Sequence, residues 1–261
     1  MIIDSHAHIG FNEHLNKSPE ELISSMEKAG IDISMVYAGE INDCSNDRLL
    51  KELENFKGKL FPVGSISPLS KDKPSLDKFK EWLDNKKIFG VKFYPGYEPF
   101  YPYDEVLKPY FKIMEERKVP AIFHNGDTYN LKKGAKLKYA HPLHIDDLAV
   151  DFPELPIIIA HLGYPWMIDA AEVAYKNKNV YVDCSGLFYG EIGNTEEEMV
   201  KKFLDTFVEY AGGTDKLIFG TDWPISNQAD YVRIIKNVFK DREDLDNILF
   251  KNSVYVFNIK L

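Results

Sequence analysis

Two histidines stand two residues apart in the opening stretch Met-Ile-Ile-Asp-Ser-His-Ala-His, as His6 and His8. If the apolar run before them is a β-strand, both rings leave the same face, about 7 Å apart along the strand. That spacing lets two imidazoles bind one metal ion. Three more apolar runs end in polar groups of the same kind: Phe123-His124-Asn125, Ala160-His161-Leu162-Gly163 and Gly220-Thr221-Asp222-Trp223-Pro224. One strand-terminal histidine is more often structural than a ligand. Five titratable groups at matching positions on four runs are hard to explain that way. Three imidazoles and a carboxylate suit a first-row divalent metal with an open coordination position. Which of the five bind the ion is left open by their spacing.

The elements that must bring these groups together are eight β-rich words: Ile2–His8, Ile33–Ala38, Leu60–Ser65, Phe89–Tyr94, Pro120–His124, Pro156–His161, Val180–Cys184 and Leu217–Asp222. Helical patterns separate them. Ser18-Pro19-Glu20-Glu21 reads as a capping box with proline at the first helical position, and Gly30 closes that helix. Leu49, Leu50, Leu53 and Phe56 form a helical stripe. Residues 76–86, 105–118, 165–177, 196–211 and 229–240 read as further helices, and 244–258 as a final packing helix. Strand–helix alternation gives either a (βα)8 barrel or a doubly wound sheet. Chemistry at the carboxyl ends of many strands selects the barrel. A doubly wound sheet would gather it at one switch point. The expectation is a single-domain α/β protein over residues 1–261, a (βα)8 TIM barrel with a C-terminal packing helix.

Composition sets bounds. The 261 residues are 44% hydrophobic and 28% charged, which fits a large globular core. A net charge of −9 lacks the footprint of a nucleic-acid binder. No apolar run is long enough to cross a bilayer, and no basic region precedes the first strand as a secretory signal would require. Two cysteines, Cys44 and Cys184, suggest no disulfide framework, so a cytoplasmic location is expected. Any metal must be held by histidine and carboxylate.

These motifs together resemble the amidohydrolase superfamily, and within it the amidohydrolase-related branch that contains hydrolases and nonoxidative decarboxylases such as aminocarboxymuconate-semialdehyde decarboxylase. The resemblance runs from residue 1 to about 225. It implies a metal-dependent enzyme acting on a small molecule, anionic ones included: a hydrolase of amide, ester or lactone bonds, or alternatively a decarboxylase. It implies His6, His8 and His124 as ligands of one divalent ion, zinc ahead of manganese, iron or cobalt, with a second ion the lesser alternative. Asp222 would ligate the ion or take a proton from its water, and His161 would serve as acid/base or electrophile. A homodimer is common in this branch.

Lys92 is the ambiguous residue. Alternation in Phe-Gly-Val-Lys-Phe-Tyr-Pro turns Val91 and Phe93 to the helices and Lys92 and Tyr94 to the interior. A lysine there needs a partner. It could bridge two ions as a carbamate, as in two-metal amidohydrolases, anchor a substrate carboxylate, or pair with Asp4 or Asp183. Of four arginines (Arg48, Arg117, Arg233 and Arg242) only Arg48 is expected near the mouth, as a second anchor. Tyr94, Asn125 and Trp223 are further candidates for substrate contact, with Tyr97, Asp127 and Glu40 as weaker ones. Asp4 is either a support for the ligands or a structural hydrogen-bonder. His14 reads as a loop residue, His144 as a helix cap, and His141 as a minor candidate for substrate contact. Lys132, Lys133, Lys136 and Lys138, on the loop around Gly134, read as a solvated face in preference to a lure for anions.

Overall fold

The computed structural model describes residues 1–10, 16–39, 44–128, 134–190, 192–240 and 244–260. Eight parallel strands follow one another in chain order: β1 (Ile3–His8), β2 (Ile33–Tyr37), β3 (Leu60–Ser65), β4 (Val91–Phe93), β5 (Ala121–Phe123), β6 (Ile157–Ile159), β7 (Val180–Asp183) and β8 (Leu217–Ile218). The seam between β8 and β1 is closed by backbone bonds, with Ser5 N donating to Phe219 O at 3.0 Å, Asp222 N to His6 O at 2.7 Å and His8 N to Trp223 O at 2.7 Å. This is the expected (βα)8 barrel.

Helices α1 (Pro19–Ala29), α2 (Asn46–Glu52), α3 (Leu76–Asp84), α4 (Lys108–Arg117), α5 (His144–Asp151), α6 (Met167–Lys176), α7 (Asn194–Tyr210) and α8 (Gln228–Val238) alternate with the strands. Local chemistry sets their ends. Ser18 and Glu21 form the reciprocal capping box of α1, and Gly30 ends it at φ 71°. Ser45, Ser75 and Asn227 each accept a hydrogen bond from the first turn of α2, α3 and α8. His144 does not cap α5. It is the first helical residue, and its Nε2 bonds Lys138 O at 2.7 Å; the fixed entry of the chain behind Pro142 leaves the position before it to Leu143.

Two apolar cores result. One lies between strands and helices and includes Val91, Phe93, Phe111 and Phe123. The other fills the lower barrel with Ile3, Met35, Val63, Ile122, Ile158 and Ile218. Val256, Phe257 and Ile259 join this inner core, so the C-terminal π-turn (Asn247–Lys251) and α9 (Asn252–Val256) plug the barrel floor. With the floor sealed by apolar groups, polar interior residues sit above it. No helix among the described residues is long and apolar enough to cross a membrane.

Candidate metal centre

The histidines of β1 point inward and are buried. Asp222, just past β8, meets both: its Oδ1 lies 3.1 Å from His8 Nε2 and 3.7 Å from His6 Nε2. His161 joins from the turn after β6, its ring centroid 4.9 Å from that of His6 and 5.0 Å from that of His124. All five expected groups therefore reach one place. Three of them, His124, His161 and Asp222, do so past the strand ends, where extended strands were expected to continue. His161 and Asp222 both hold a left-handed backbone at φ 62°. Non-glycine residues adopt that region at a cost of order 1 kcal/mol or more, which surrounding contacts must offset. Here Asp183 Oδ1 accepts from His161 N at 3.0 Å, and His6 O accepts from Asp222 N.

His124 is placed differently from His6 and His8. Its Nε2 donates to Asp127 O at 2.8 Å, so the lone pair resides on Nδ1, and Tyr97 packs on the ring at 4.6 Å. Among the described residues two groups could hold an ion: His6, His8 and Asp222, and His6, His161 and Asp183. The second is already knit by hydrogen bonds. His6 Nδ1 donates to Asp183 Oδ2 at 2.9 Å, and Ser185 Oγ lies 3.0 Å from both His6 Nδ1 and His161 Nδ1. The first group, all of it buried, brings its ligand atoms within 4.8 Å of one another. A first-row divalent ion fits that donor set.

Electrostatics agree with neutral imidazoles. Burial, and then the Lys92 cation, hold His6 and His161 well below the usual histidine range, and the same causes bring His124 down to about 3. Neutral imidazole is the metal-binding form. Lys92 is interior, as alternation predicts. Its Nζ lies 3.5 Å from His6 Nε2 and over the rings of Tyr37 and Tyr94. Burial lowers its pKa to about 8, although Asp183 and Asp222 pull the other way. No ion pair with Asp4 or Asp183 forms. Asp183 faces His6, and Asp4 accepts instead from Thr221 N, Thr221 Oγ1, Gln228 Nε2 and His6 N. The register of β1 slips between Asp4 and Ala7, which breaks the parity linking Asp4 to the histidines.

The remaining candidates separate. Tyr94 stands beside Lys92 and donates to Ala38 O. Trp223 is buried, its carbonyl taken by His8 N. Asn125 is fully buried, with Nδ2 on Ala140 O and Oδ1 unpartnered among the described residues. Arg48 packs against Gly10 and bonds Glu52 and Asn16. His141 packs on Trp166 at 4.7 Å. Glu40, His14, Lys132 and Lys133 lie outside the described residues, and Lys136 and Lys138 are exposed.

Three supporting residues escaped the sequence pattern. Tyr37 stacks on His6 at 4.3 Å and 14° and donates to Ser5 O. Asp183 enters the sequence pattern only as a partner for Lys92, and Ser185 has no signal in it. The signal for Asp183 was its place at the carboxyl end of a barrel strand, the position that also flagged His124.

Comparison with known proteins now decides the family. A family model described as amidohydrolase matches residues 3–259. The chain belongs to that family. Solved structures agree on the fold. An uncharacterized TIM-barrel protein from Bordetella bronchiseptica superposes with TM-score 0.77 at 20% identity, covering 98% of each chain. A Pseudomonas putida protein assigned as a 2-pyrone-4,6-dicarboxylic acid hydrolase gives 0.76 at 16%, covering 100% of this chain and 98% of the other. A 5-carboxyvanillate decarboxylase from Novosphingobium aromaticivorans with bound manganese gives 0.70 at 14%, covering 99% and 97%. No curated protein matches the sequence. Both a protein assigned as a hydrolase and a decarboxylase are represented among these barrels.

Proposed function

We propose that this amidohydrolase barrel is a metal-dependent hydrolase of a small molecule, cleaving an amide, ester or lactone bond with water. The observation that carries it is the convergence of His6 Nε2, His8 Nε2 and Asp222 Oδ1, with His161 one ring away. His6, His8 and Asp222 would hold one divalent ion, zinc or manganese before iron or cobalt, with His124 adding its Nδ1. Such an ion acidifies water to a pKa near 7 and polarises a carbonyl oxygen. Asp222 orients the attacking water and takes its proton on a carboxylate oxygen. His161, uncharged at neutral pH, moves a proton at Nε2 on the leaving-group side. Lys92 and Tyr94 orient the substrate from below.

One observation favours the decarboxylase alternative. Lys92 is a buried cation without an ion-pair partner among the described residues, so its ammonium suits a substrate carboxylate. The test is to load the protein with zinc or manganese and offer two panels. One holds lactones and esters, the other hydroxylated aryl carboxylates. Acid release from the first supports the hydrolase. Carbon dioxide from the second with none of the former replaces it with the lyase, and inactivity on both with one equivalent of metal bound would leave the metal site without the reaction.

A further inference from the structure

We propose that Ser185 is a positioning residue: wedged between two rings, it and Asp183 hold both His6 and His161 in the Nδ1–H tautomer and so present both Nε2 lone pairs to the site. A proton inventory gives this assignment. Asp183 Oδ1 accepts from two backbone groups that can only donate, His161 N and Ser185 N, each at 3.0 Å. Ser185 Oγ has one proton and sits closest, at 2.5 Å, to that same carboxylate oxygen. A charged acceptor outcompetes a neutral ring nitrogen for a hydroxyl proton. With its proton committed, the hydroxyl offers only lone pairs to the two rings, each 3.0 Å away.

Each ring has a second acceptor that demands the same answer. His6 Nδ1 faces Asp183 Oδ2 at 2.9 Å, and His161 Nδ1 faces Ser185 O, a carbonyl that can only accept, at 3.3 Å. Both Nδ1 atoms must therefore carry hydrogen, and both Nε2 atoms are bare. For His6 this is the form that ligates an ion. For His161 the consequence rests on the proposed reaction: a bare Nε2 takes up a proton or coordinates, and cannot begin as a hydrogen-bond donor that polarises a carbonyl. Gly186 makes the wedge possible. At φ 65° it folds the chain under Asp222, where a Cβ would lie 2.8 Å from both Asp222 Oδ2 and His161 Nδ1.

The test is nitrogen-15 NMR of the full chain with labelled histidine, metal-stripped and then zinc-loaded. His6 and His161 signals are assigned by single His→Gln variants. The wild type should show protonated Nδ1 and bare Nε2 on both rings in the stripped protein, with the His161 pattern unchanged by zinc. Ser185→Ala should leave His6 in place, since Asp183 still holds it, and should loosen His161, which keeps only the longer 3.3 Å contact to the backbone carbonyl, so that a second tautomer appears there. Zinc affinity should fall about tenfold, the lower end for loss of a ligand-supporting contact. Ser185→Thr should restore both. A hydrogen on Nε2 of His161 in the wild type overturns the proposal, even if Ser185→Ala does not fold. Unchanged tautomers and affinity in Ser185→Ala overturn it too. Because no turnover is read, the expected spectra with an inactive protein would refute the proposed reaction and leave the positioning role standing.

Discussion

At the scale of single residues, the centre is a contest for Asp222. Its Oδ1 sits between two imidazoles, so in the proposed reaction the same carboxylate would both help hold an ion and handle a proton. Asp222→Asn keeps the shape and removes the basic oxygen. Turnover should fall by about 10²- to 10⁴-fold, the usual worth of a positioned general base. Steady-state kinetics on whichever substrate class reacts would check this, and a near-normal rate would take Asp222 out of proton transfer. Lys92→Ala separates the roles open to that lysine. If the ammonium anchors a carboxylate, metal content stays at one equivalent while KM for acidic substrates rises strongly. A drop from two equivalents to one on metal analysis would instead make Lys92 a bridging ligand. The histidines and Asp222 were legible because strand-end position and residue type sufficed. Ser185 was not. Its partners are His6, 179 positions away, and His161, 24 away, and nothing in a Cys-Ser-Gly run announces them.

At the scale of elements, the turn after β7 does more than its short sequence suggests. Asp183, Ser185 and Gly186 form a shelf beneath two left-handed residues from neighbouring turns, His161 and Asp222. Gly186→Ala should be costly on two counts, because the added Cβ meets backbone strain and two polar side chains at once. The expected loss of stability is about 1–3 kcal/mol, with a larger proportional loss of metal affinity. Denaturant melts with and without zinc would measure both; wild-type affinity in this variant would mean that the shelf does not shape the centre. Periodicity located all eight strands and most helix starts, since alternation and capping are local. It missed the β1 register slip and the early ends of β6 and β8. Those depend on which neighbour the backbone finds, and no single segment encodes that.

For the whole molecule, the barrel trades stability for a cluster of uncharged rings over a sealed apolar floor. Three imidazoles, His6, His124 and His161, are pushed below the ordinary value of 6.5, with His124 at about 3. In the unfolded chain they bind protons near pH 6.5, while the native state refuses them. Their contribution is therefore fully present above pH 6.5 and is lost as pH falls toward 3. The linkage slope is about 1.4 kcal/mol per pH unit for each such group. Asp4 opposes them. Burial raises it from 3.8 to about 6, so its native form takes up a proton first and gains stability as pH falls through 6. One group against three leaves a net loss on acidification. Metal-free protein should thus show a falling denaturation midpoint from pH 7.5 to 5, and zinc at pH 7.5 should raise it by mass action on the native state. The zinc increment should shrink as pH drops, because protons compete for the same nitrogens. A midpoint flat across that range would mean that the three rings are charged or exposed in solution, and the buried donor set could not then exist as described.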